Sequence, residues 1–209
     1  MRTHVEWSRT LIAPAIVVGL LVLAIGMVIV RDGSVPGWEQ DVFHAVNDLP
    51  DWLYRPLWPF QQLGALLIGP VVALVAACMR RFRLAIAALI ATVAKLVLER
   101  AVKVAVSRDR PGTSIGFDVH LRGDVTPTGE SFVSGHAVLI AALAGVISPY
   151  LPKRWKVVPW AIVVLVMVTR VYVGAHNPLD VICGAGLGIA IASAINIFAA
   201  PPDSGDVKS

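Results

Sequence analysis

Charge is scarce in this chain. Of its 209 residues only 15% are Asp, Glu, Lys or Arg, while 56% are hydrophobic. An ordinary soluble domain carries about 25% charged residues. A disordered tail or a basic nucleic-acid-binding domain needs the opposite balance, so the composition argues against both. Cysteine is scarcer still: Cys78 and Cys183 stand alone, with no zinc-type Cys/His spacing around them. No N-x-[ST] sequon, internal repeat or low-complexity tract occurs. What abounds is apolar sequence, with a mean hydropathy of +0.73. A membrane-spanning helix takes about 20 apolar residues, so six would use roughly 120 and leave about 90 for loops. That describes one all-α membrane bundle over residues 1–209, with no room for a second domain. The net charge of +4 fits the excess of Lys and Arg found in cytoplasmic loops and requires no acidic partner.

Six runs are long enough to cross: about 11–30, 59–79, 84–106, 135–151, 157–173 and 178–199, followed by a polar tail over 201–209. The first is longer than a signal-peptide core and shows no convincing cleavage site, so it reads as a retained helix. Arg2 and Arg9, then Arg80, Arg81 and Arg83, then Lys153, Arg154 and Lys156 fall on one side of a six-crossing chain. The loop between the first two runs is acidic. The positive-inside rule therefore places both termini in the cytoplasm. Trp7, Trp38, Trp52, Trp58, Trp155 and Trp160 all fall near the expected water interfaces. Trp38, Val42, Phe43 and Val46 recur at near-helical spacing, as in a short interfacial helix. In this topology Cys78 and Cys183 lie at opposite membrane levels, too far apart for a disulfide, and read as two small buried residues. Gly184 and Gly188 form a Gly-x-x-x-Gly face for a neighbouring helix.

The informative residues break the charge rule. Lys103, Arg110, His136, Arg170, His176 and Asp180 are far apart in sequence, yet all fall at outer helix ends. Ionisable groups at membrane depth are costly and usually face a bundle interior, so this convergence marks a candidate site. Lys103 and Arg110 are seven residues apart and share a face if their helix continues. The plainer reading of Lys103 pairs it with Glu99, as for Lys95 and Arg100 nearby. Ser134 reads as an N-cap, and Gly135 lets a ligand approach the backbone of a helix start, where anions bind. Asn177-Pro178 reads as the N-cap and first residue of the last helix. Asp180 then complements the helix dipole, or holds one ring nitrogen of His176 and leaves the other free to attack. The loop from Gly112 to Glu130, with Asp118, His120, Arg122 and Asp124, lines the entrance, and His120 reads as solvated.

Three motifs stand in order: Lys103-Val-Ala-Val-Ser-Arg-Asp-Arg110-Pro111, Val133-Ser134-Gly135-His136, and Thr169-Arg170 with His176 and Asp180. Together they resemble the type 2 phosphatidic-acid phosphatase family, the membrane branch of the vanadate-binding acid phosphatase superfamily. The resemblance covers about residues 31–199. Val133 stands where the family motif has Pro, and Thr169 where it has Ser.

The resemblance implies a lipid-phosphate phosphatase working at the outer leaflet. His176 would attack phosphorus and form a phosphohistidine, Asp180 would orient it, and His136 would protonate the leaving oxygen and then activate water. Lys103, Arg110 and Arg170, with Ser134 and the Gly135 N–H, would bind the phosphoryl oxygens. Neither metal nor cofactor is implied. The partners implied are the bilayer and a lipid phosphate, not nucleic acid. A polyprenyl diphosphate in a bacterial plasma membrane is the first expectation. Phosphatidate and phosphatidylglycerol phosphate are chemically compatible, a non-catalytic lipid-phosphate-binding protein is the reading from another class, and haloperoxidase chemistry is a third on the same fold.

Overall fold

The computed structural model describes residues 11–116 and 118–200. Among these the chain is helical: α1 (Ile12–Ile29), α2 (Gly37–Asn47), α3 (Tyr54–Gln62), α4 (Ile68–Cys78), α5 (Phe82–Ala105), the short α6 (Pro111–Ser114), α7 (Gly135–Ile147), α8 (Val157–Tyr172) and α9 (Pro178–Ala199). An isolated antiparallel bridge joins Asp109 to Glu130. The expectations placed on Arg2, Trp7, Arg9 and residues 201–209 lie outside the described residues.

α7 and α9 form the centre. Their contact is built from small residues, because Gly and Ala let two backbones approach closely. A Cβ on Gly188 would overlap the Val138 carbonyl, and one on Gly184 would crowd Ser134 and Ala137, so the expected Gly-x-x-x-Gly face does pack against a helix. α1 lies on the other side of α9, with Gly19 facing Gly186 and Gly26 against the Cys183 sulfur. α5 adds a strip of buried alanines, Ala85, Ala87, Ala88 and Ala91. Large apolar side chains point outward instead. Val17, Leu21, Ile25 and Val28 on α1, and Ile86, Ile90, Val93 and Val97 on α5, are all exposed. An outer surface so apolar suits lipid rather than water.

Among the described residues three helical segments are long and apolar enough to cross a membrane: Ile12–Ile29, Lys153–Tyr172 and Pro178–Ala199. The other expected runs look different. The run over 59–79 is not one helix, since α3 ends at Gln62 and α4 starts at Ile68. Pro59 inside α3 supplies no backbone donor, and Gly64 in the intervening turn presents a bare face to the His136 ring. The run over 84–106 is a single long helix, but its C-terminal half carries Lys95, Glu99, Arg100 and Lys103. That over 135–151 is helical to Ile147 and tightens into a 3₁₀ turn at Ser148–Tyr150, where Pro149 lacks the N–H a further α turn needs.

The short helix expected near Trp38 exists as α2, but its buried face is not the apolar one. Phe43 is buried, whereas Trp38 and Val42 are exposed, and the other fully buried residues are Glu39 and Asn47. The cysteines also divide: both are free, Cys183 is buried and Cys78 is exposed. Cys78 ends a helix that shows its outer face to the surroundings, so the expectation of two buried cysteines fails for it.

Candidate active site

Gly174, at φ +75°, turns the chain out of α8. A side chain there would meet Val119, His120 and Leu121 of the loop before α7. The turn delivers His176, 3% exposed, to the start of α9. Pro178 opens that helix, as expected of a residue whose missing donor would be unpaired anyway. Asp180, in the first turn, is fully buried, and its Oδ2 accepts the Asn177 N–H at 2.7 Å.

The remaining partners of Asp180 include residues that sequence reasoning missed. Arg108 Nη1 donates to Asp180 Oδ1 at 2.8 Å, and the Ser131 hydroxyl donates to Oδ2. His176 Nδ1 lies 3.7 Å from that same oxygen and 3.3 Å from Ser131 Oγ. The Asp180–His176 relationship is thus an ion-pair distance with Ser131 hydrogen-bonded between the two. Beyond Asp180, Arg108 also pairs with Glu39 of α2, through Nη1–Oε1 at 3.2 Å and Nη2–Oε2 at 2.5 Å. Glu39 Oε1 in turn accepts the Leu179 N–H at 2.8 Å. Burial by itself would lower the Arg108 pKa, but the Glu39 and Asp180 carboxylates hold it above its ordinary value. Nothing in the sequence distinguishes Ser131 from other loop serines. Arg108 could have been noticed, because it is a second Arg two positions before Arg110.

Three expectations about helix ends change. α5 stops at Ala105 and Val106 is extended, so Lys103 and Arg110 do not share a helical face. Arg110 instead turns towards Thr126, donating to its Oγ1 at 2.9 Å. Ser134 occupies the N-cap position of α7 without a side-chain cap bond. Its hydroxyl is buried with no protein partner, and its N–H goes to the Asp180 carbonyl at 3.0 Å. The group that approaches Gly135 is a side chain of the protein itself, since a Cβ there would collide with the Glu99 carboxylate. Glu99 pairs with Lys95 at 2.6 Å and with Lys103 at 3.0 Å, as the plainer reading of Lys103 requires. Lys103 Nζ also reaches the Glu130 carbonyl at 3.4 Å.

The expected site residues nevertheless converge. Arg170, 7% exposed, has an Nε without a protein hydrogen bond. Arg170 and Arg110 both lie within electrostatic reach of His176, and His136 within reach of Arg170, His176, Arg110 and Lys95. Burial is the main reason the His176 pKa falls to about 4. Arg170 and Arg110 push the same way, while the Asp180 carboxylate opposes them. The ring is therefore neutral near pH 7, as a nucleophile must be. Nδ1 faces Ser131 and Asp180, which leaves Nε2 for chemistry. Among the described residues no group of three or more His, Cys, Asp or Glu is arranged to hold a metal ion.

The loop over 112–130 does more than line an entrance. Arg122 is buried and donates to the carbonyls of Asn47, Tyr172 and Leu49 and to Asp51 Oδ1. Asn47 answers by accepting the His120 N–H at 2.8 Å. The His120 side chain is 62% exposed, in keeping with a solvated residue. A cavity of about 440 Å³ beside it is lined by Asp51, Tyr54, His120 and Arg122, and none of the expected site residues lines it.

The chain is similar to known proteins. The undecaprenyl-diphosphatase of Sulfolobus acidocaldarius is 34% identical over 119 residues, which is 57% of this chain and 57% of that protein. The chain thus matches little more than half the length of this relative. Two solved structures share the fold at 23% identity. Aquifex aeolicus LpxE superposes with a TM-score of 0.68, covering 76% of this chain and 94% of its own. The transmembrane PAP2 type phosphatidylglycerolphosphate phosphatase of Bacillus subtilis superposes with a TM-score of 0.70, covering 88% and 95%. A profile of the PAP2 superfamily matches residues 82–201, a stretch that contains all three motifs and the site from Lys103 to Asp180. The chain belongs to the PAP2 superfamily.

Proposed function

We propose that the protein is a metal-independent lipid-phosphate or lipid-diphosphate phosphatase. The observation that carries this reading is the placement of His176: a buried, neutral imidazole whose Nδ1 faces Ser131 and Asp180, with Arg170 and Arg110 in electrostatic reach. His176 Nε2 attacks phosphorus in line. The N–P bond forms as the bond to the leaving oxygen breaks, and His136 gives that oxygen a proton. His136 then takes a proton from water, whose oxygen attacks phosphorus, releasing phosphate and restoring His176. Lys103, Arg110 and Arg170, with Ser134 and the Gly135 N–H, bind the phosphoryl oxygens. Fixed charge is the main catalytic demand of phosphoryl transfer. Val133 and Thr169 remove no group this scheme uses.

In the membrane reading, α1, α5, α7, α8 and α9 each cross once and α3 with α4 makes the remaining crossing. The arginines and lysines of the two basic connections then face the cytoplasm, the termini lie on that side, and the site opens at the outer leaflet. The named activity of the Sulfolobus relative supports a polyprenyl diphosphate as the substrate. The Bacillus fold neighbour keeps phosphatidylglycerol phosphate as the second reading. Phosphate release from a polyprenyl diphosphate, phosphatidate and phosphatidylglycerol phosphate, measured in detergent with and without EDTA, tests the assignment. Release is expected to be fastest from the diphosphate, insensitive to EDTA and lost in His176→Ala. Turnover retained by that variant would overturn the mechanism.

A further inference from the structure

Glu39 lies outside the stretch matched by the superfamily profile, on a helix whose exposed Trp38 and Val42 mark it as peripheral. Its carboxylate is nevertheless fully buried, 69 residues in sequence from Arg108 and 140 from Leu179, and bonded to both. A buried carboxylate is costly unless it is paired. Here the pairing has a particular stoichiometry. One guanidinium faces two carboxylates, Glu39 and Asp180, and the surrounding donors to Asp180 are neutral: the Ser131 hydroxyl and the Asn177 N–H. Arg108 alone would neutralise Asp180. Because Glu39 takes the two-pronged contact, much of the Arg108 charge is spent away from the site, and Asp180 retains negative charge towards His176.

We infer that Glu39 is a positioning residue for the His176 nucleophile: by engaging Arg108 it keeps Asp180 charged towards the imidazole, and by accepting the Leu179 N–H it fixes the turn that carries both. The inference rests on the reading of His176 given above. Glu39 touches no substrate and acts only through Arg108 and Asp180. The groups facing His176 are Asp180 from α9, Arg170 from α8, His136 from α7, Arg110 from the segment after α5, and the Ser131 hydroxyl. Among these Asp180 is the sole anion, so the charge it shows the ring should govern the titration of His176.

The sign of the effect separates this role from simple structural support. Glu39→Gln removes a negative charge and turns the whole Arg108 charge on Asp180, so His176 should lose its proton more easily. The double variant Glu39→Gln/Arg108→Gln removes the cation nearest Asp180, so His176 should hold its proton more tightly. The test follows His176 by NMR in histidine-labelled full-length protein in detergent, with the signal assigned by its loss in His176→Ala. The midpoint should fall by about one pH unit in the single variant and rise by about one in the double variant. The double variant keeps the net charge of the wild-type cluster, with Asp180 still held by the Ser131 hydroxyl and the Asn177 N–H, and circular dichroism of both variants checks that they fold. Turnover of a short-chain polyprenyl diphosphate should show the single variant reduced at least tenfold in kcat with KM within twofold, and Glu39→Asp should recover part of the loss. Midpoints that stay in place, or move the same way in both variants, would overturn the inference. If the wild-type chain releases no phosphate from any of the lipids above, the reaction assigned to the site fails, and the NMR midpoints still decide the charge relationship.

Discussion

The carboxylate of Glu99 rests against the bare Cα face of Gly135, where it joins Lys95 and Lys103 to the first residue of α7. Gly135 is thus required by a neighbour within the protein. Gly135→Ala should force Glu99 and Lys103 aside, at about 1–3 kcal/mol for an overpacked contact. Steady-state kinetics should show at least a tenfold loss of turnover. Adding Glu99→Ala, which makes room for the methyl group, should restore part of it.

Glu99 pairs with Lys103 and so competes with an incoming anion for its ammonium group. Glu99→Gln should leave both lysines free of their carboxylate partner and strengthen inhibition by inorganic phosphate or vanadate, about three- to tenfold for a half-buried charge pair. Inhibition constants unchanged from wild type would show that Lys103 does not meet the phosphoryl group.

The low His176 pKa has a direct kinetic consequence. Burial and the nearby arginines favour the neutral ring, with a pKa of about 4. As pH falls through that value the ring gains a proton and can no longer attack. The acid limb of kcat/KM should therefore lie near pH 4 rather than near the ordinary histidine value of about 6.5. In the substrate complex the bound phosphate favours a protonated His136, so kcat should gain an alkaline limb and a bell-shaped profile. A profile flat from about pH 3 to pH 9 would contradict a two-histidine mechanism.

Arg122 gives a stability prediction separate from catalysis. Its guanidinium donates to three carbonyls and to Asp51, and stacks 4.2 Å from the centre of the Tyr172 ring. A lysine has neither the planar fork nor the stacking surface. Arg122→Lys should lose about 2–4 kcal/mol of stability, because several buried carbonyls are left without donors. Thermal unfolding in detergent should show a clear drop in Tm.

The two cysteines offer a test of orientation. Cys78 is exposed and precedes the basic turn at Arg80 and Arg81, while Cys183 is buried. A membrane-impermeant maleimide should label Cys78 only when it has access to the cytoplasmic side. Labelling of intact cells from outside would reverse the proposed topology.

Much of this fold was legible in the sequence because lipid-facing and helix-facing patterns are local. The limits of α1, α8 and α9 follow from hydropathy, and the packing role of Gly184 and Gly188 from spacing alone. The break between α3 and α4 was missed because apolar residues continue through it, and the closeness of Gly64 to His136 exists only once the helices meet. The motif residues were legible through their chemistry. Glu39 and Ser131 were not, since each acquires its role only by meeting residues far away in the chain, and although Arg108 stands inside the first motif its pairing with Glu39 and Asp180 was hidden for the same reason. The same holds for Gly135, whose constraint arises from Glu99.

The bond from the Leu179 N–H to Glu39, and the packing of α1 on α9, impose an order on biosynthesis. The ribosome delivers α1, α2 and Arg108 to the membrane well before Asp180 exists. Until α9 is inserted, Arg108 has Glu39 and the Ser34 carbonyl but not Asp180 to bind, and α1 lacks the surface that will cover Gly19 and Gly26. The nascent chain therefore carries an unfinished seam between α1 and the place α9 will take. Contacts of such long range are slow to form and leave apolar and small-residue faces open meanwhile. Chains stalled before α9 should be held by the insertion machinery or degraded, and the site should appear only as the last helix closes the seam.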